Sequence, residues 1–113
     1  MTQPKRVGSF AEFWPLYVRE HRNAGCRMLH FVGSSLSLAV VAIAMATRIE
    51  WLLLAPVVGY GVAWTGHYCL EHNRPATFKH PIWSFIADWK MWTLMLVGRM
   101  DEEIKRVEAI AVK

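Results

Sequence analysis

Five histidines in a chain of 113 residues are the side chains best suited to chemistry here, and the spacing of three of them makes them converge. His30 stands at the outer end of one apolar run, Phe31 to Thr47. His67 stands at the outer end of a second, Trp51 to Gly66, and only Arg48-Ile49-Glu50 separates the runs. Folded as an antiparallel helical hairpin, the runs place the two imidazoles nearly level, because both are almost equally far from the joint. His21 lies on the aromatic face of a preceding amphipathic segment, and the break at Asn23-Ala24-Gly25 lets it reach the same end. Glu71, four residues after His67, shares its helix face, as a second ligand or as a carboxylate that orients the first. Imidazoles with a carboxylate and open positions suit non-haem Fe²⁺, with Zn²⁺ chemically acceptable. One histidine near a membrane is usually an ordinary hydrogen-bonding group, so it is the convergence of three that favours a metal. Helical continuation points His72 off the His67/Glu71 face, and His80 suits a cap for a helix opening at Pro81.

The elements that must position these residues are all helical. Each apolar run has about 16 or 17 residues, ~25 Å at 1.5 Å per residue. Met28 and Leu29 extend the first, and Tyr68, Cys69 and Leu70 the second, to the roughly 20 residues a bilayer span needs. The expected fold is all-α: an integral membrane bundle, one domain over 1–113, with a transmembrane hairpin at 28–47 and 51–72. An amphipathic helix at 9–22 precedes it, opened by a Ser9/Glu12 capping box and kinked or restarted at Pro15. Its Phe10 to Tyr17 stripe docks on the spans or lies in the interface. A helix at 81–97 carries Asp88 and Lys90, charges that argue against a full span and for an interfacial or half-buried position. A solvated amphipathic tail follows at 101–112.

Composition excludes several classes. The chain is 54% hydrophobic and its apolar residues come in blocks, which favours a membrane protein over a small soluble bundle. A cleaved signal peptide is disfavoured by the long charged segment ahead of the first run. The net charge of +4 sits in segments flanking the runs, where it favours anionic lipid head groups rather than nucleic acid. Lys5, Arg6, Arg19, Arg22 and Arg27 precede the first run and Arg74, Lys79 and Lys90 follow the second. The positive-inside rule therefore puts both termini and the histidines on the cytoplasmic side, in a bacterial inner membrane or the endoplasmic reticulum. Cys26 and Cys69 lack zinc-finger spacing and read as free thiols. Homo-oligomerisation is left open.

The combination His21-x-Asn23, His30 followed by Gly33, Gly66-His67-x-x-x-Glu71 and Asn73-Arg74-Pro75-Ala76-Thr77-Phe78 resembles a family of small membrane proteins long listed as a domain of unknown function. Its characterised fungal member is a 2-hydroxy fatty acid dioxygenase in the breakdown of phytosphingosine to odd-numbered fatty acids. The resemblance runs from about Phe10 to Met95. It implies an Fe²⁺-dependent, membrane-embedded enzyme of fatty acid α-oxidation that consumes O₂ and shortens a 2-hydroxy acyl chain by one carbon. The family's histidines fall on His21, His30 and His67, which would bind Fe²⁺. Asn23 and Glu71 are accompanying polar positions: Glu71 as fourth ligand or base, Asn23 as a hydrogen-bonding group for substrate or ligand. Arg74 is either a holder of the substrate carboxylate or an ordinary lipid-facing charge. The competing reading is a non-catalytic membrane scaffold or lipid-binding protein whose polar cluster joins helices.

Overall fold

The computed structural model describes residues 8–75 and 78–112, which form helices and short connections with no strand among them. Lys5 and Arg6 of the leading basic group, and Ala76 and Thr77 of the Asn73–Phe78 motif, lie outside the described residues.

Helix α1 (Phe10–Arg19) starts where the Ser9 hydroxyl accepts the Glu12 N–H at 3.3 Å, satisfying one of the helix's orphan donors. It runs on through Pro15 and so forgoes one backbone bond without breaking. Its Phe13, Trp14, Tyr17 and Val18 are buried, together with Ala87 and Met91 of α4 (Pro81–Leu96) and Met100 and Val107 of α5 (Met100–Val112). The aromatic stripe is thus interior to a three-helix cluster rather than spread on an interface. The tail helix is not fully solvated either, because Val107 and Met100 anchor one face of it and Trp14 donates its indole N–H to Glu103 at 2.6 Å. Both charges that interrupt α4 turn toward α1: the Tyr17 hydroxyl donates to Asp88, and the Lys90 ammonium lies 4.4 Å from the Trp14 ring centre. A carboxylate and an ammonium in an apolar segment are tolerable when they face such partners.

The hairpin is built from α2 (Ala24–Ala46) and α3 (Leu54–Gly66), joined by a 3₁₀ turn over Ile49–Leu53. Helix α2 begins four residues ahead of Met28 because the Asn23 side chain accepts from the Gly25 and Cys26 N–H groups at 2.8 and 3.1 Å, an N-cap. Pro56, which has no N–H and crowds the preceding turn, explains why α-helical geometry starts only at Leu54. The two helices approach closely through glycines. A Cβ on Gly33 would stand 2.8 Å from the Gly59 carbonyl oxygen, and the Ser37 hydroxyl donates to the Ala55 carbonyl at 2.5 Å. Small residues of this kind are what let helices pack in apolar surroundings. Gly66 lies opposite Cys26 and Gly33 opposite Gly59, so the residue level with His30 is Val62, five residues or about 7.5 Å before His67; the histidines meet although they are not level. Helix α4 seals one side of the hairpin, with the Trp92 indole donating to Ser35 at 3.0 Å and stacking on Phe31.

Two helical stretches, Ala24–Ala46 and Ile49–Glu71, are long and apolar enough to cross a membrane. Only 17% of each apolar window is buried within the protein, unlike a core helix of a soluble bundle. Leu36, Ile43, Met45, Leu53 and Val57 are among the large side chains left exposed, an apolar surface that calls for a covering.

Candidate metal centre

Three different elements deliver the three histidines. His21 follows the last turn of α1, and the Arg27 guanidinium fixes that bend by donating to the carbonyls of His21 and Arg22 at 2.8 and 2.7 Å. His30 sits near the start of α2. His67 opens a π-helical turn, His67–Glu71, that succeeds α3. All three are buried, at 1%, 6% and 2% exposure, and a candidate ligand atom from each lies within 4.8 Å of the others. The rings meet nearly edge to face, with centres 4.4 to 4.9 Å apart.

The hydrogen bonds behind the rings decide which nitrogens face inward. His21 Nδ1 is 2.6 Å from the Tyr17 carbonyl oxygen, and His30 Nδ1 is 3.0 Å from that of Cys26. Carbonyl oxygens only accept, so both Nδ1 atoms carry the proton. His67 Nδ1 lies 2.7 Å from the Asn73 side-chain oxygen, whose orientation follows from the Asn73 amide donating to the Glu20 carbonyl at 3.1 Å. Each Nε2 is then a bare lone pair in the neutral imidazole. Yet His21 Nε2 and His30 Nε2 stand 3.1 Å apart, where two lone pairs repel unless a cation lies between or beside them. Burial, reinforced by the neighbouring His30 and His67, holds the His21 pKa well below the ordinary histidine value, so protonating that ring is not the easy remedy. The donor set therefore fits a divalent metal: neutral imidazoles, inward nitrogens, and back-side hydrogen bonds that fix tautomer and orientation. Three nitrogens leave coordination positions open, as a catalytic rather than a structural site requires.

Of the other residues singled out in the sequence, Glu71 and Asn23 contact each other. The Glu71 carboxylate accepts the Asn23 backbone N–H at 2.5 Å, while the Asn23 side chain caps α2. They clamp the bend before α2 to the end of the second long helix, and neither lines the space beside the rings. Arg74 lies over Phe78, 4.9 Å from the ring centre, in a shallow site with Glu20 and Lys79. His72 is exposed and left-handed, with φ of 57°. It closes the π turn by donating its N–H to the His67 carbonyl. His80 occupies the N-cap position of α4 without a capping hydrogen bond and packs instead on Phe13 and Trp83. Both cysteines are free thiols, Cys26 buried and Cys69 exposed.

Sequence reasoning missed Asn73, Tyr17 and Asp88 as parts of the site. Tyr17 stacks on His21 with ring centres 4.0 Å apart and donates to Asp88; both line the histidine pocket with Tyr60 and Ser84. Burial pushes the Asp88 carboxyl up to about 7, against the pull of the Tyr17 hydrogen bond. Burial also raises the Tyr17 hydroxyl well above its usual value, with Asp88 adding to the shift. An acid in an otherwise apolar helix was the available signal, since such a group needs an interior partner.

The family model described as Mpo1-like, 2-hydroxy-palmitic acid dioxygenase Mpo1-like, matches residues 7–100. No curated protein and no solved structure matches.

Proposed function

The chain belongs to the Mpo1-like family, and on that premise we propose that it is an Fe²⁺-dependent dioxygenase that shortens 2-hydroxy fatty acids by one carbon. One O₂ would oxidise the 2-hydroxy acid to the next shorter fatty acid, carbon dioxide and water, a balance that needs no further reductant. The observation that carries this reading is the facing of three buried imidazoles whose Nδ1 protons are all engaged behind them. His21, His30 and His67 are the ligands. Bound iron supplies the one-electron chemistry through which O₂ reacts with a closed-shell acid.

The remaining residues position and exclude. Asn73 holds His67 in one tautomer, and Tyr17 buttresses His21 from behind. Glu71 and Asn23, expected at the reacting atoms, are assigned here as positioning residues, since their hydrogen bonds hold α1, α2 and the π turn together. Asp88 stands beside the rings as a carboxyl able to take or return a proton near neutral pH. The enzyme lies in a bilayer, with Ala24–Ala46 and Ile49–Glu71 as spans and the iron at the cytoplasmic face. An amphiphilic acid reaches such a site from the lipid.

The test is anaerobic loading of the purified protein with Fe²⁺, addition of 2-hydroxypalmitic acid, and measurement of oxygen uptake and of the shortened acid. Uptake that disappears in His67→Ala with helicity retained supports the assignment. Iron-loaded, folded protein that consumes no oxygen with any 2-hydroxy acid overturns it and favours the lipid-binding alternative.

A further inference from the structure

The space beside the three imidazoles cannot take an organic molecule, for it encloses about 10 Å³, roughly the room one water needs. Adjoining it is a groove of about 230 Å³ between α2, α3 and α4, walled by Leu38 and Val41, by Pro56 and Gly59, and by Phe85 and Trp89. Tyr60, Ala63 and Asp88 line both spaces, so the groove begins where the histidine pocket ends. From there it runs away from the histidines along the hairpin. Val41, at its far end, is eleven residues beyond His30 on α2, or about 16 Å at 1.5 Å per residue.

A nitrogen-lined, ion-sized pocket that shares the walls Tyr60, Ala63 and Asp88 with a long apolar groove matches an amphiphile with a small polar head and one alkyl chain. Pockets of this make-up use apolar walls for affinity and a few polar groups for orientation. We propose that the groove holds the alkyl chain of the 2-hydroxy acid, head at the Tyr60–Asp88 junction and methyl end at Val41 and Pro56, so that these distal residues set chain-length preference. This assignment rests on the dioxygenase reading for the identity of the head group. At the junction, Asp88 offers an acceptor to the substrate hydroxyl. The groove is open along one side to the apolar surface around the hairpin, where Phe85 is 54% exposed, so the chain enters sideways rather than end-on.

Full-length protein in detergent, kept metal-free, is first photolysed with 2-hydroxypalmitic acid carrying a diazirine at its terminal carbon. Label, located residue by residue from fragment spectra, should concentrate on Leu38, Val41 and Pro56 and be competed out by unmodified 2-hydroxypalmitic acid. Label spread over outward positions such as Ile43 and Leu53 overturns the groove. With iron restored, Val41→Trp should lower kcat/KM for 2-hydroxypalmitic acid relative to 2-hydroxyoctanoic acid by roughly tenfold or more. Ile43→Trp, outside the groove, should leave that ratio as it is. An unchanged ratio in Val41→Trp also overturns the proposal. Label confined to the groove without oxygen uptake from either acid would sustain the groove and sink the dioxygenase reading, so the two can fail separately.

Discussion

His67 donates its Nδ1 proton to the side chain of Asn73 at 2.7 Å, and Asn73 is bound in turn to the carbonyl of Glu20 at the end of α1. One amide therefore fixes the tautomer of a candidate metal ligand on the hairpin and ties it to the helix that delivers His21. The return of the chain that makes this contact is unusual. It requires the π turn over His67–Glu71 and the left-handed His72, a conformation costing an L-residue roughly 1–2 kcal/mol. Single π turns in helices are frequent at functional sites.

Removing that amide should loosen the metal more than the fold. Asn73→Ala is expected to weaken Fe²⁺ binding by about 10- to 100-fold, the usual effect of losing a ligand's hydrogen-bonding partner. Asn73→Asp, which keeps an acceptor, should recover much of the loss. Anaerobic Fe²⁺ titration beside far-ultraviolet circular dichroism checks both, and equal loss in the two variants would mean that the amide matters for the Glu20 contact alone.

Asp88 should impose a pH dependence on stability. Its folded pKa of about 7 lies above the ~3.9 of an unfolded aspartate. Its favourable contribution is therefore full below about pH 4 and is lost as pH rises through about 7. Buried His21, held neutral, has the opposite sign: its contribution is lost on acidification. Comparison with Asp88→Asn, which retains an acceptor for Tyr17, isolates the carboxyl. In metal-free protein the Tm advantage of Asp88→Asn over the unsubstituted protein should grow from about pH 5 to about pH 8. A constant difference across that range would contradict the burial of this acid.

The glycine contact of the hairpin offers a paired test. Gly33→Ala drives a Cβ to within 2.8 Å of a backbone oxygen on α3, and the helices must separate at a cost of about 1–3 kcal/mol. Gly61→Ala, on the same hairpin, meets nothing within 4 Å and should be neutral or stabilising by up to about 1 kcal/mol, as helix propensity favours alanine. Thermal unfolding in one detergent compares them, and equal behaviour would refute the close approach.

Much of this arrangement was legible in residue order. Blocked apolar runs with a short joint imply a hairpin, and histidines at its outer ends must then share a face. The Asn23-Ala24-Gly25 break also pointed His21 toward them. Other relationships were not legible, because they depend on departures from helical period. Reading 51–72 as a regular helix put Glu71 beside His67; the π turn instead sends Glu71 to the Asn23 N–H and brings Asn73 back. The placement of α1 between α4 and α5 rests on packing among segments far apart in sequence, which amphipathic spacing cannot distinguish from docking on a membrane. Asp88 and Lys90 were visible as misfits in an apolar helix, but their partners Tyr17 and Trp14 emerge only once α1 is docked.

The central claim is that His21, His30 and His67 form one iron site. Anaerobic Fe²⁺ titration of the purified protein, with iron and protein quantified in the same samples, tests it most directly. The expected result is one iron per chain, lost on substituting His21→Ala, His30→Ala or His67→Ala while helicity is retained, and unaffected by His72→Ala or His80→Ala. Folded protein that binds no iron, or binding that survives removal of all three imidazoles, would contradict it.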